Sequence, residues 1–372
     1  MTTNIPKVAK AAVINEFNKP LDLQDWPVKQ PSELAPGECL IKMAYAGCCH
    51  SDLHVKENEW GFPAKLPLVG GHEGIGHIVA IGEHTINSPV KIGDRVGLKW
   101  IASSCLRCEM CRKGRESCCL SQRSHGFTDH GTFAEYVVSF TDYVTPIPET
   151  LESAAATPIL CYQGITVYNG LKQSNTKMGE WVAVSGAGGG LGHLGSLFAS
   201  LLSKSDLPRL AVQYAIAMGF RVVAIDTGSS KKALCQKIGA EKWIDFMESK
   251  DVVKDVQDAT DGLGPHAAIV AAGSAVPFNQ ALMYLRLDGT LVCVGMPSGD
   301  GMLNVPIRLI VPKSLKIVGT STGNRQDMAE ALALAASGKV KCHYDLKPLS
   351  EINDVMDSMQ HGKIAGRVVL EI

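Results

Sequence analysis

Four cysteines within fifteen residues constrain this chain more tightly than any other feature. The run Cys105-Leu106-Arg107-Cys108-Glu109-Met110-Cys111 is followed, after seven intervening residues, by Cys119. Four thiolates at spacings of three, three and eight can close around one tetrahedral zinc ion, as a structural zinc site requires. A loop held by metal needs no hydrophobic core of its own. Cys118 stands beside Cys119 and competes with it for the fourth place. The chain holds 12 cysteines, and residues 1–20 carry neither an apolar export core nor an Arg-rich amphipathic pattern. Reduced, metal-bound thiols are therefore expected rather than disulfides, and the cytoplasm is the expected compartment.

A second cluster lies upstream. Gly47-Cys48-Cys49-His50-Ser51-Asp52-Leu53-His54 is followed by Gly70-Gly71-His72-Glu73-Gly74. Together they offer a thiolate, several imidazoles and a carboxylate. A catalytic zinc needs only three protein ligands and one open position, so this cluster is a candidate for a second metal.

A length of 372 residues argues for two domains. Residues 1–155 are rich in Gly, Pro and short β-type runs, such as 10–14, 38–43 and 75–80. They read as an irregular, mostly-β domain with long loops. From residue 156 the pattern becomes an alternation of strand and helix, with apolar runs at 181–185, 221–225, 267–271 and 290–295. An α/β domain with a doubly wound parallel sheet is expected over 156–318. Residues 319–372 add an Ala/Leu-rich helix (328–337) and a closing strand (366–370). A net charge of −1 gives no nucleic-acid surface, and the absence of a long apolar run gives no membrane-spanning helix.

Gly186-Ala187-Gly188-Gly189-Gly190-Leu191-Gly192 joins the first strand of the alternating region to a helix. Glycines let the backbone approach a pyrophosphate, and the helix N-terminus offers N–H groups to it. The second strand ends in Asp226, placed to accept a ribose 2′-OH and repel a 2′-phosphate, which favours NAD over NADP. The acid belongs about 20 residues beyond the turn, yet Gly192 to Asp226 is 34. Removing residues 195–210, sixteen in all, leaves an uninterrupted helix and puts the acid 18 residues on. The removed segment holds Pro208, which would break that helix. It reads as an insert, of the kind a translated intron leaves; the alternative is a surface excursion between two helices.

Cys49-His50-Ser51-Asp52-Leu53-His54, residues 66–74, the four-cysteine lobe, Pro158-Ile159-Leu160-Cys161, Val294-Gly295-Met296-Pro297 and Ile364-Ala365-Gly366-Arg367 extend over nearly the whole chain. In these stretches it resembles the fungal and yeast-type zinc-dependent alcohol dehydrogenases of the medium-chain dehydrogenase/reductase family. That resemblance implies a GroES-like catalytic domain over 1–155, a Rossmann NAD-binding domain over 156–318 and a return of 319–372 to the catalytic domain. It implies interconversion of small primary alcohols such as ethanol with aldehydes such as acetaldehyde, by zinc-alkoxide formation and hydride transfer to NAD.

The family's roles carry over residue by residue. Cys49, His72 and Cys161 would hold the catalytic zinc, with Glu73 beside it or as an alternating ligand. Cys105, Cys108, Cys111 and Cys119 would hold the structural zinc, which puts Cys119 ahead of Cys118. Ser51 would bridge alcohol and cofactor ribose, and His54 would pass the proton to solvent. Trp60, Trp100 and Met296 would narrow the substrate pocket. Gly186, Gly188, Gly189, Gly190, Leu191, Gly192, Asp226, Lys231, Val294, Met296 and Arg367 would contact NAD. A homotetramer is the assembly implied. The chain departs from the family's Cys-Ala-Gly at Cys161-Tyr162-Gln163-Gly164, which is one residue longer. Two other readings stand beside this one: a related zinc dehydrogenase for larger or secondary alcohols, and a catalytically silent zinc-binding chain whose NAD site the insert disrupts.

Overall fold

The computed structural model describes residues 4–160, 162–186, 207–297, 301–361, 363–364 and 367–372. The chain divides into two compact units. One holds residues 1–161, 323–336 and 342–372; the other holds 162–322 and 337–341.

The first unit is built on antiparallel β-structure, whose alternating side chains cover one face and leave the other to solvent or a second layer. Its long strand Glu38–Gly47 is buried along most of its length because it has partners on both sides. It pairs antiparallel with Gly74–Ile81, Tyr136–Phe140 and Arg367–Glu371, and the last of these pairs in parallel with Tyr344–Pro348. Ile41, Met43, Ile78, Val96, Leu98 and Val137 pack together as one core of this sheet. A smaller sheet joins Val8–Ile14 to Asp22–Pro27 and Leu68–Val69. The chain leaves Leu68–Val69 through Gly71 at φ +91°, where an added Cβ would stand 2.7 Å from the Phe133 ring. That left-handed turn, closed to other residues, delivers His72 and Glu73 to the interior.

The second unit is a six-stranded, wholly parallel sheet. Its order is Lys242–Asp245, Arg221–Asp226, Trp181–Ser185, Ala267–Val270, Thr290–Cys293, Lys316–Gly319. In sequence terms that is third, second, first, fourth, fifth, sixth, the doubly wound arrangement. Trp181–Ser185 and Ala267–Val270 are buried at every residue, as central parallel strands covered on both faces must be.

Two local surprises bear on the sequence expectations. Among the described residues, a helix runs over Leu207–Ala217 and includes Pro208. Residues 207–210 of the proposed insert, Pro208 among them, belong to that helix. Residues 195–206 lie outside the described residues. The extra residue after Cys161 meets a π-helical turn, Tyr162–Thr166, that runs into the helix Val167–Gln173. A π-turn is how a helix takes up one additional residue. Among the described residues no helix is long and apolar enough to cross a membrane.

Candidate functional site

Cys49 is the N-cap of the helix His50–Glu57, and its N–H donates to Asp52 Oδ2 at 2.9 Å. Asp52 thereby closes a capping box three residues into the helix. Its other oxygen, Oδ1, accepts from His72 Nδ1 at 2.7 Å, with both side chains buried. A carboxylate on Nδ1 fixes the imidazole tautomer and leaves Nε2 as the ligand atom. Asp52 is the second-sphere residue that motif spacing does not pick out.

One ligand atom each from Cys49, His72 and Glu73 lies within 4.8 Å of the others, and all three residues are buried. His72 Nε2 is 3.8 Å from Glu73 Oε1. In a tetrahedral zinc site neighbouring N, O and S donors stand roughly 3.3–3.8 Å apart, so a small contraction around an ion fits. Glu73 Oε2 is fully buried and accepts no hydrogen bond among the described residues. A buried carboxylate oxygen left that way costs free energy, which a cation beside it would offset. Gly47 leaves it room: a Cβ there would stand 2.3 Å from Glu73 Oε2. Glu73 Oε1 is held by the guanidinium of Arg367, a residue expected at the cofactor. Cys161 lies outside the described residues.

Ser51 Oγ is 3.7 Å from Cys49 Sγ. His54 is half-buried and its Nδ1 pairs with Glu59. Trp100 packs edge-on against the His72 ring at 5.1 Å, and Trp60 meets Trp100 at 5.6 Å. Phe127 stacks on Trp100 at 5.9 Å and touches Trp60 at 5.7 Å, completing an aromatic wall that residue-by-residue matching overlooked. Met296 belongs to the second unit and is 69% exposed.

The four-cysteine lobe is assembled as the spacing requires. Ligand atoms of Cys105, Cys108, Cys111 and Cys119 all lie within 4.8 Å of one another. Cys105 Sγ is 3.9 Å from Cys111 Sγ and 3.6 Å from Cys119 Sγ. Four sulfurs 2.3 Å from one zinc stand about 3.8 Å apart in a tetrahedron, so the cage already has zinc's dimensions. Cys108 caps the short helix Glu109–Arg112, and backbone N–H groups of Cys108 and Cys111 point at Cys105 and Cys108 sulfurs. Backbone N–H groups of Arg107 and Cys108 draw the Cys105 thiol down to about 6. Cys118 is exposed on the 3₁₀ turn Glu116–Cys118. It stands outside the cage, whose fourth sulfur is that of Cys119.

In the second unit the Gly186 N–H bonds the Ile225 carbonyl at 2.9 Å, joining the first strand's end to the second's. Asp226 ends that second strand, buried, and accepts from Lys231 Nζ at 2.7 Å and the Thr227 N–H at 2.8 Å. Burial raises its carboxyl pKa, and Lys231 works against that rise. Val294, also buried, follows the fifth strand and donates to the Val270 carbonyl at 2.9 Å. Gly188, Gly189, Gly190, Leu191 and Gly192 lie outside the described residues.

Comparison with known proteins places these sites in context. A family described as "Alcohol dehydrogenase GroES-like domain" matches residues 35–149, and one described as "Zinc-binding dehydrogenase" matches 209–337. The second match begins at residue 209, within the last two residues of the segment 195–210. The chain is 42% identical to Alcohol dehydrogenase 1 of Emericella nidulans over 99% of both chains. It is 41% identical to the alcohol dehydrogenase of Schizosaccharomyces pombe, again over 99% of both. Among solved structures, the alcohol dehydrogenase of the hyperthermophilic archaeon Aeropyrum pernix superposes with a TM-score of 0.81 at 28% identity. That match covers 98% of this chain and 100% of the other.

Proposed function

The chain belongs to the zinc-binding alcohol dehydrogenase family, and on that premise we propose that it interconverts small primary alcohols, ethanol foremost, with their aldehydes, using NAD. The observation that carries this is the buried Cys49, His72 and Glu73 cluster, with its imidazole fixed by Asp52. Cys49 and His72 would hold the catalytic zinc with Cys161, and Glu73 would stand beside it. Bound there, zinc would supply the Lewis acidity that eases loss of an alcohol's proton, and NAD would supply the hydride acceptor.

The chain's own residues do the rest. Asp52 keeps the His72 proton on Nδ1, so that Nε2 stays a ligand. Ser51 Oγ, beside Cys49, receives the proton that the alcohol gives up. His54, half in water and steadied by Glu59, carries it to solvent. Trp60, Trp100 and Phe127 bound the space next to His72 and favour short alcohols over long ones. Asp226 would accept hydrogen bonds from the ribose hydroxyls of NAD, with Lys231 beside it and Val294 at the end of the fifth strand. A cytoplasmic homotetramer completes the reading.

The test is NADH formation from NAD by the full 372-residue chain with ethanol, longer primary alcohols and secondary alcohols. Higher kcat/KM on ethanol than on the rest supports the proposal. Preference for larger or secondary alcohols replaces it with a broader dehydrogenase. No turnover from a folded chain with two zinc ions, restored by deleting residues 195–210, locates the fault in that segment.

A further inference from the structure

Behind the four-cysteine lobe runs a largely buried polar chain that the proposed reaction does not use. Ser104 precedes the first cysteine, and its Oγ is 3.1 Å from Cys111 Sγ. The same Oγ is hydrogen-bonded to Tyr143 Oη. Two cations attend the Tyr143 ring: Lys99 Nζ is 5.5 Å from its centroid and Arg325 Cζ 5.1 Å. Lys99 is only 3% exposed and donates to the Tyr143 carbonyl at 2.6 Å. Arg325 Nε donates to Oε1 of buried Glu116 at 2.9 Å.

Chemistry sets the direction of this chain once zinc is in the lobe. A metal-bound thiolate has no proton and can only accept. Ser104 must then donate to Cys111 Sγ, which leaves its lone pairs to accept from Tyr143 Oη. Burial pushes the Tyr143 phenol up to about 12, so it holds the proton that this direction needs. A zinc ion with four thiolates carries a formal charge of about −2, and buried Lys99 and the more exposed Arg325 supply positive charge on the Tyr143 side of it. Cations near a ring face withdraw electron density from it, which makes Oη–H the better donor.

We propose that Ser104 and Tyr143 form a one-way hydrogen-bond relay onto Cys111 that retains the structural zinc, with Lys99 and Arg325 as its charge counterweight. Ser104 and Tyr143 are positioning residues; neither touches substrate. The relay rests on zinc binding in the lobe, which the unaltered chain tests separately.

Full-length protein is incubated with a chelator and N-ethylmaleimide, and labelling of each cysteine is followed by peptide mass spectrometry. The set is the unaltered chain, Ser104→Ala, Tyr143→Phe, their double variant and Ser104→Thr. Second-sphere losses at zinc sites cost about 10–100-fold in metal affinity. The single variants should therefore speed Cys111 labelling by about tenfold. The double variant should go no faster than the quicker single one, and Ser104→Thr should match the unaltered chain. Buried Cys39 and Cys48 should label no faster in any of them. Rates within twofold of unaltered protein, a multiplicative double variant, or Cys39 and Cys48 rising in step would overturn the relay. An unaltered chain with no zinc in the lobe would overturn the zinc reading and the relay together.

Discussion

Replacing Asp52 by Asn tests the metal centre most sharply, because one carboxylate serves two donors. Oδ2 accepts the Cys49 N–H at 2.9 Å and Oδ1 accepts His72 Nδ1 at 2.7 Å. Asparagine keeps the shape but offers one acceptor and one NH₂ group, so one of those donors must face another donor. If the NH₂ group faces His72, the imidazole moves its proton to Nε2 and blocks the ligand atom. If it faces Cys49, the helix loses its cap, at about 1 kcal/mol. The charge-assisted bond to His72 is worth about 1.5–3 kcal/mol. At about 1.4 kcal/mol per decade that is roughly 10–100-fold in zinc affinity, the range seen for second-sphere losses. The assay is a competitive chelator titration that resolves the two zinc sites, run beside turnover of alcohol. Asp52→Asn should weaken the catalytic zinc by about 10–100-fold and lower turnover with it, while the four-cysteine site keeps its metal. Catalytic-zinc affinity within twofold of the unaltered chain would refute the dual role.

Three further outcomes are expected. His125 is buried with Nδ1 2.8 Å from the Lys99 carbonyl, and burial pushes its pKa down from 6.5 to about 4. Between those values the unfolded chain binds the proton that the folded chain refuses, so stability falls as pH drops, by about 3 kcal/mol across the window. His125→Gln should flatten that acid limb in urea-unfolding midpoints; parallel curves for the two proteins would count against it. Asp226→Gly removes the acceptor at the second strand's end. It should raise KM for NAD by about tenfold and narrow the preference over NADP, read from kcat/KM for each; an unchanged ratio would dismiss Asp226 as the discriminating group. Trp100→Ala opens the wall against His72. The ratio of kcat/KM for hexanol over ethanol should rise by about tenfold or more, and a constant ratio would mean the aromatic wall does not set substrate size.

The metal ligands could be read from the chain because their chemistry demands particular residue types at short, regular intervals. Cys105, Cys108, Cys111 and Cys119 are such a set, and they meet as expected. The parallel sheet was equally plain, since its buried strands are uninterrupted apolar runs. Contacts across long sequence separations left no such trace. Phe127 reaches Trp60 and Trp100 only in the folded unit, and Tyr143 reaches Ser104 from 39 residues away. Asp52 left a faint signal, an acid three residues after the N-cap, but its second bond, to His72, is tertiary. Arg367 was matched to the cofactor by resemblance alone, and its bond to Glu73, a partner 294 residues away in sequence, left no trace in the chain's local pattern.

The strand Arg367–Glu371 sits between Glu38–Gly47 and Tyr344–Pro348, and its Val368 carbonyl accepts the Cys48 N–H at 3.1 Å. The backbone next to the proposed ligand Cys49 is thus tied to residues synthesised more than 300 positions later. The second unit is nearly contiguous and can mature while the ribosome is still at work. The first must wait with its central strand half-paired, so its high contact order makes it the slower to form. Nascent chains stalled before residue 344 would expose that strand edge to chaperones and to one another, and would lack the backbone tie beside Cys49.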